Sequence, residues 1–427
     1  MHTEAFTRTT GFSKTTGDQQ LVKRINRSVL LRLLRAQPGL SRARLSVRSG
    51  LTKSTVSALV RELLDEHWLS EASAPVAADG MGRPSTPLHV DTQVRVLMGV
   101  EVGVQQMRVV SVSLGGVVLA TAQEPLDGGQ PTLVGAQVAR MVRQAWQAMA
   151  RSRQVVCGVG VCLPGAIDEA SGLVCFAPNL GWRDVGFTAL LTHALLAAGV
   201  PRVDFHLLND SDAAALGEYE FVTGESEDPL LFVNCDVGVG AGIVLNDRLF
   251  TGSRGMAGEI GHTIMQVGGP LCSCGRRGCA ETFIGARALE RSGGLEHAGA
   301  TLGVLIQNLD VMFNPRVIVV GGPSCSAHPA LLDYAVRTVQ SYADAAGVAA
   351  PMIRGARYGL LAAAVGAAAA ALHRYLRPMQ MDAAAPGRSG TGTVAATVAD
   401  AGPRRRHHAL AALAPGGTAL TWEAEER

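Results

Sequence analysis

Apolar residues near the start of the chain recur every three or four positions. Leu21, Val22, Ile25, Val29 and Leu33 mark an amphipathic helix over Leu21–Leu34, which Pro38 and Gly39 end. Ser41 is the predicted N-cap of a short second helix that Gly50 stops, and Thr52 caps a third. That third helix carries Val56, Leu59, Val60, Leu63 and Leu64 on one face. Helix, glycine-containing turn and helix together predict a helix-turn-helix. Trp68-Leu69, a Gly/Ala-rich link and GRPSTPLHV at Gly82–Val90 follow. Pro84 and Pro87 favour extended backbone, so this stretch predicts a wing hairpin, with a plain interdomain linker as the alternative.

At Val94 the period shifts from helical to alternating. VLMGVEVGVQQMRVVSVSLGGVVLA predicts two strands around a turn and then a third, and LLFVNCDVGVGAGIVLNDRLF further on has the same plan. Each has a strand, an acid (Glu101 or Asp236), Val-Gly-Val and another apolar strand, which is a weak internal repeat. Between them, Leu133–Ala150 and Phe187–Ala198 predict amphipathic helices, and Val155–Leu163 and Val203–Leu208 predict strands. The alternation points to α/β layering.

Composition narrows the class. At 427 residues, 47% hydrophobic and 17% charged, the chain reads as two to three globular domains with ample core. The polar start has no apolar segment of signal-peptide type, and the Ala-rich run Leu360–Leu372 is too short for a bilayer span of about 20 residues. Eight cysteines with three clustered fit a reducing cytoplasm better than a disulfide framework. The expected location is therefore the cytoplasm, with no membrane partner.

The net charge of +2 hides an uneven distribution: Gln19–Arg61 holds ten Lys or Arg and no Asp or Glu. A solvated basic face is the bland explanation, and a nucleic-acid surface the sharper one. In a helix-turn-helix the second helix enters the major groove. Lys53, Ser54, Thr55 and Ser57 open that helix away from its apolar stripe and are the candidate base or phosphate contacts. Arg42, Arg44 and Arg48 would flank the backbone, and Arg83 on the wing could enter a minor groove. The expected partner is a double-stranded DNA operator.

The densest chemistry lies in Gly258–Glu281, GEIGHTIMQVGGPLCSCGRRGCAE. Cys272, Cys274 and Cys279 fall within eight positions, and His262 lies ten residues upstream. Three thiolates and an imidazole form a tetrahedral zinc set with no open position for a catalytic water, so the expected zinc is structural. Unconnected reduced thiols are the alternative.

These residues carry a family resemblance. GEIGH followed by CxCGxxGCxE resembles the signature of the ROK family of repressors and sugar kinases, and SRARL, GLTKSTVS and GRPSTP resemble the winged helix-turn-helix of its repressors. APNLGW at 177–182, LLNDSDAAALGE at 207–218, NPRVIVVGGP at 314–323 and GLLAAAVGAAAAAL at 359–372 resemble further family segments, so the likeness spans about residues 20–376. It implies an α/β fold class: an N-terminal winged helix-turn-helix followed by an actin-like, ribonuclease H-like, two-lobed sugar-kinase-type domain. It also implies sugar contacts at Asn179, Asn209, Asp210, Glu259, His262 and Glu281. Asp210 matches the kinase base, though the start of an Ala-rich helix equally suits an N-cap there.

The expected division is 1–18 disordered, 19–90 winged helix-turn-helix, 91–220 first lobe, 221–376 second lobe with the zinc loop, and 377–427 disordered tail. Glu281 and Pro315 stand only 34 positions apart, short for the family, so one or two helices of the second lobe are expected to be missing. The family's kinases carry Asp-x-Gly-Gly-Thr in the first hairpin, where this chain has Glu101-Val102-Gly103-Val104-Gln105. Val104 adds a side chain where phosphate needs bare backbone, and Gln105 replaces the hydroxyl. The expectation is a regulator and no enzyme: a repressor of carbohydrate uptake or catabolism genes, homodimeric or larger, released from DNA by a sugar or sugar phosphate. Rival readings are an ATP-dependent sugar kinase with an attached DNA-binding domain and a regulator governed by a protein partner.

Overall fold

The computed structural model describes residues 19–72, 86–203, 205–222, 226–253, 255–291 and 294–378. Arg83, the expected disordered start 1–18 and residues 379–427 of the expected tail lie outside the described residues.

The N-terminal helices are α1 (Gln19–Ala36), α2 (Arg42–Ser49) and α3 (Lys53–Asp65). Ser41 Oγ accepts from the Arg44 N–H at 3.4 Å to start α2, and Thr52 Oγ1 accepts from the Thr55 N–H at 3.2 Å to start α3. Gly50, at φ 71°, closes α2 with its own N–H bonded to the Ser46 carbonyl. Strand β1 (Leu69–Glu71) pairs antiparallel with β2 (Leu88–Val90), supplying the two strands of the expected wing. The buried face of α1 differs from the expected stripe. Arg27, Ser28, Leu30, Leu31 and Leu34 are buried, whereas Val22 is 49% exposed. The cause is tertiary: the second half of α1 packs on the body of the protein, and Arg27 is drawn inward by Glu66.

Two sheets of the same topology make up that body. The first comprises β3 (Arg95–Val102), β4 (Gln106–Ser113), β5 (Val118–Pro125), β6 (Val155–Leu163) and β10 (Phe205–Asn209), in the order β10-β6-β3-β4-β5. The second comprises β11 (Leu230–Cys235), β12 (Val239–Leu245), β13 (Arg248–Leu249), β14 (Val317–Gly321) and β15 (Met352–Gly355), in the order β13-β12-β11-β14-β15. In each, an antiparallel meander is extended by two parallel strands on its first strand. The weak repeat read from the sequence is thus a duplicated sheet. A small sheet of β7 (Ala166–Asp168), β8 (Leu173–Ala177) and β9 (Trp182–Val185) rises from the first lobe.

Helices α4 (Pro131–Arg151) and α5 (Phe187–Ala197) cover one face of the first sheet, joining Val96, Met98 and Val100 in one core. On the second sheet, α9 (Leu295–Phe313) and α11 (Ala330–Ala346) cover Leu231 and Val233. Between the sheets lie α6 (Asp210–Glu220) and α12 (Ala362–Leu376), against Leu97 on one side and Phe232 and Val319 on the other. A Cβ on Gly366 would stand 1.7 Å from the Ala213 carbonyl oxygen, so α12 can cross α6 only with hydrogen there. Alanine lets the two helices fit one layer, and Ala367, Ala368 and Ala369 are fully buried. The apolar stretch Gly359–Leu376 is therefore an interior helix of this fold.

The short segment after Glu281 still carries α7 (Glu281–Ile284), α8 (Ala286–Arg291) and α9, and α10 (Pro323–Ala327) follows β14. Its core closes around Leu302, Leu305 and Ile306, so the second lobe is packed despite the shortness.

The N-terminal helices are bolted to this body. Trp68 stacks on Tyr375 of α12 at 4.2 Å and 11°, and Arg95 lies 4.6 Å above the Trp68 ring. Arg27 grips Glu66 through two bonds of 2.7 and 2.5 Å. At the end of α6, Glu220 is 4% exposed and meets His373 Nδ1 at 2.6 Å, Arg377 Nη1 at 2.5 Å and Arg35 of α1 at 3.7 Å. Arg377 also binds Asp247 at 2.5 Å, and Asp247 accepts from the Tyr219 hydroxyl at 2.7 Å. Arg377, expected to begin the tail, is instead buried, because α12 ends where those carboxylates need a cation.

Burial alone would raise the Glu220 carboxyl, but His373, Arg377 and Arg35 outweigh it and hold it at about 2. A carboxylate held below its unfolded value contributes stability that is present above about pH 4.5 and lost as pH falls towards 2. Glu220→Gln should therefore flatten the pH dependence of urea unfolding in that window. Glu220→Ala, which removes the carboxylate shared by buried Arg377, half-buried Arg35 and His373, should cost about 3 kcal/mol at neutral pH.

Candidate functional site

All six residues expected around a sugar line one cleft of about 1260 Å³ between the lobes: Asn179, Asn209, Asp210, Glu259, His262 and Glu281. Asn179 stands on the short 3-10 turn Pro178–Leu180 that joins β8 to β9. Glu259 and His262 bracket a second such turn, Ile260–His262, which the Gly258 carbonyl ties to the Ala241 N–H of β12 at 2.8 Å. Glu281 opens α7, two residues after Cys279.

The N-cap of α6 is Asn209, whereas the sequence suggested Asp210. Asn209 Oδ1 accepts from the Ser211 and Asp212 N–H groups at 2.8 and 3.2 Å, and its Nδ2 donates to the Gly165 carbonyl at 3.0 Å. Asp210 is the first helical residue, with Oδ1 accepting from the Ser211 N–H at 2.8 Å and Oδ2 lying 3.5 Å from Asn234 Nδ2. Burial pushes its carboxyl up to about 6, and the negative Asp236 and Glu259 add to the rise against the Ser211 N–H. Burial also raises Asp236 and Glu259. Asn234 was passed over because it sits in an apolar strand, where a lone amide beside Asp236 was the available signal.

On the first hairpin, Glu101 pairs with Arg108 at 3.1 and 3.2 Å across the β3–β4 ladder. The same guanidinium reaches Gln106 at 3.2 Å and Gln123 at 3.4 Å. Burial, the largest influence on Glu101, lifts it to about 7 even against that arginine.

Beside the cleft, the ligand atoms of His262, Cys272, Cys274 and Cys279 lie within 4.8 Å of one another. His262 Nδ1 is 3.7 Å from Cys272 Sγ, and Cys274 Sγ is 3.7 Å from Cys279 Sγ. Metal–sulfur bonds of about 2.3 Å in a tetrahedron give edges of about 3.8 Å, so the four groups could hold one metal ion. Gly278 makes this possible: its φ is 79°, and a Cβ there would stand 1.7 Å from the Gln266 carbonyl oxygen. Cys272 Sγ and the Ser273 hydroxyl in turn approach Glu281 Oε1 at 3.8 and 3.3 Å, coupling the cluster to the cleft.

On the N-terminal face, Lys53, Ser54 and Ser57 of α3 are exposed and Thr55 is half-buried. The Ser54 and Thr55 hydroxyls turn back to Thr52 Oγ1 at 2.9 and 2.8 Å, which leaves Lys53 and Ser57 aimed outward. Arg61, exposed and one turn beyond Ser57, extends that face and was readable from its four-residue spacing. Arg42 pairs with Glu71 of β1 at 2.7 Å, so it braces the wing; Arg44 is exposed on α2.

With this geometry in hand, comparison with known proteins gives consistent findings. A profile described as ROK family matches residues 97–301, and one described as winged helix-turn-helix DNA-binding matches 24–69. The xylose repressor of Bacillus subtilis is 28% identical over 341 residues, 74% of this chain and 86% of that protein. The xylose repressor of Caldicellulosiruptor bescii is 30% identical over 278 residues, 64% of this chain and 67% of that protein. Among solved structures, a ROK family transcriptional regulator described as a homolog of E. coli MLC protein shares the fold. Its TM-score is 0.68 at 22% identity, with coverage of 85% of this chain and 99% of that one.

The two roles of Asn209 can be separated. Asn209→Ala should lower unfolding stability by about 1 kcal/mol through loss of the cap. Asn209→Asp keeps the acceptor for α6 and should stay closer to the parent in urea titrations, while losing the donor to Gly165.

Proposed function

This chain belongs to the ROK family, and from that premise we propose that it is a sugar-responsive DNA-binding repressor of carbohydrate genes. One observation carries the proposal. Helix α6 starts in the cleft with Asn209 and Asp210 and ends, about 16 Å away, at Glu220 against Arg35 of α1. A shift at the cleft is thereby handed to the helices that meet DNA without passing through a flexible joint. Rigid interior packing favours two discrete placements of α6 over a gradual drift.

A pyranose presents hydroxyls that are donors and acceptors at once, and the cleft answers with carboxylates, amides and an imidazole. Asn179, Asn209, Asp210, Glu259, His262 and Glu281 are assigned as sugar contacts. Zinc in the His262–Cys272–Cys274–Cys279 set would neutralise three thiolates and hold the loop that presents Glu259, His262 and Glu281. Lys53, Ser54, Thr55, Ser57, Arg44 and Arg83 are assigned to the operator. Arg42 acts through Glu71. Residues 19–90 serve as the DNA-binding domain and 91–220 and 221–376 as the lobes. A homodimer would set two α3 helices in successive major grooves of a palindromic site.

Phosphoryl transfer fits less well. Val104 and Gln105 stand where the family's kinases carry glycine and a hydroxyl, and Arg108 is already engaged by Glu101, Gln106 and Gln123.

Fluorescence anisotropy of the full chain on DNA from upstream of its own gene, with a panel of sugars, tests the reading. Salt-dependent binding released by a sugar is the expected result. Binding that no sugar relieves would sink the sugar response, and failure to bind DNA would sink the regulator. For the metal, Cys274→Ser should lose zinc by elemental analysis and lose sugar release together. A response surviving both the substitution and chelation would remove zinc from the mechanism.

A further inference from the structure

Helix α1 touches both lobes from behind the cleft, a geometry that deepens the sugar-responsive, DNA-binding reading above and rests on it. In each duplicated sheet the first hairpin turn faces the cleft, through Val104 in one lobe and through Val237 and Gly238 in the other. The second hairpin turns, β4–β5 and β12–β13, lie at the far ends of strands of eight and seven residues, about 25 Å away. Two arginines of α1, one helical turn apart, reach these equivalent turns. Arg35 Nη1 donates to the Leu114 carbonyl at 3.0 Å, at the β4–β5 turn. Arg32 Nη1 donates to Asp247 Oδ2 at 3.0 Å, at the β12–β13 turn.

The two anchors are unequal. Arg35 is half-buried, and its Nη2 also bonds the Glu220 carbonyl and lies 3.7 Å from the Glu220 carboxylate. Arg32 is exposed and holds a single carboxylate, a kind of pair that contributes little and opens readily. Opening it strands no buried charge, because Asp247 keeps Arg377 at 2.5 Å and the Tyr219 hydroxyl at 2.7 Å. The turns themselves are firm. Asp228 accepts from the Asn246 and Asp247 N–H groups at 3.0 and 2.6 Å, and the Ser113 carbonyl accepts from the Gly116 N–H at 3.0 Å. The arginines are separated by a rise of about 4.5 Å along a stiff helix. A change in the angle between the sheets moves the two turns relative to each other, so both contacts cannot be kept and the weaker one gives way.

We propose that Arg32 is a positioning residue for the operator response. Its bond to Asp247 holds α1 in the DNA-binding placement and opens when sugar fills the cleft. Helix α1 thus reads the angle between the lobes at their two equivalent turns, with Arg35 as the fixed point.

Linkage sets the sign of the test. A contact made only in the DNA-binding form favours operator and opposes sugar, so removing it weakens the first and tightens the second. Damage to the fold would weaken both. The full chain and its Arg32→Ala and Arg32→Lys variants are titrated by calorimetry with D-xylose, D-glucose and N-acetylglucosamine in the absence of DNA. Anisotropy on DNA from upstream of its own gene gives operator affinity. In Arg32→Ala, operator binding should be about two- to fivefold weaker and sugar binding tighter by a similar factor. Arg32→Lys keeps the charge and should stay near the parent in both. Sugar affinity unchanged in Arg32→Ala overturns the proposal even if DNA binding weakens, since loss of one positive charge near DNA would do that alone. Sugar affinity that falls together with operator affinity overturns it too, as the mark of a merely structural residue. Either result leaves the sugar reading standing. Binding of none of the three sugars to the parent overturns the sugar reading itself, and the proposal with it.

Discussion

Helix α6 is the member on which the other elements bear, and the ionic cluster at its far end sets its position. Glu220 is a buried carboxylate that only several cations at once can make tolerable, because removing one charge from water costs several kcal/mol. Its partners come from α1, from α12 and from the residue just beyond α12, while Asp247 of the second sheet shares Arg377. A charge cluster of that kind is satisfied in one arrangement and unsatisfied in most others. It therefore locks the N-terminal helices, the first lobe and the second lobe into one register, which hydrophobic contact alone would specify less sharply.

The opposite end of the same helix opens into the cleft. Asn209 spends its oxygen on the helix cap and its nitrogen on Gly165, so it is fixed before any ligand arrives. Asp210 is held by α6, Glu259 by the short turn tied to β12, and Glu281 by α7 beside the cysteine and histidine cluster. Preorganised acceptors of this sort would lose little freedom on binding a ligand. Asp236 and Glu259 crowd Asp210, which adds to the burial that raises its carboxyl.

Duplicated sheets and two small-residue helices explain how such a cleft can exist at all. The meander-plus-two topology recurs in both halves, and each sheet turns one face to its own helices and one to the shared layer of α6 and α12. The shared layer must be thin to let both sheets approach, hence alanine along α12 and glycine at Gly366. The space left open at the ends of the two first hairpins is the cleft.

Much of this was legible before any coordinates. Periods of 3.6 and of two located the three N-terminal helices and the strands of both hairpins, and Ser41, Gly50 and Thr52 marked helix boundaries because capping is local chemistry. The spacing of three cysteines and a histidine predicted a metal set, and the fold brings the four groups close enough that they could hold an ion. The matching segments around Asn179, Asn209, Asp210, Glu259 and Glu281 converge on one cleft. Tertiary structure decided the rest. Arg27 and Arg377 are buried against their own polarity because partners distant in sequence, Glu66 and Glu220, wait for them. The true inner face of α1, the cap at Asn209, the diversion of Arg42 to Glu71 and the closing of Glu101 on Arg108 each depend on contacts across separate elements. Periodicity along one strand or helix carries no record of which charge the fold will bring opposite.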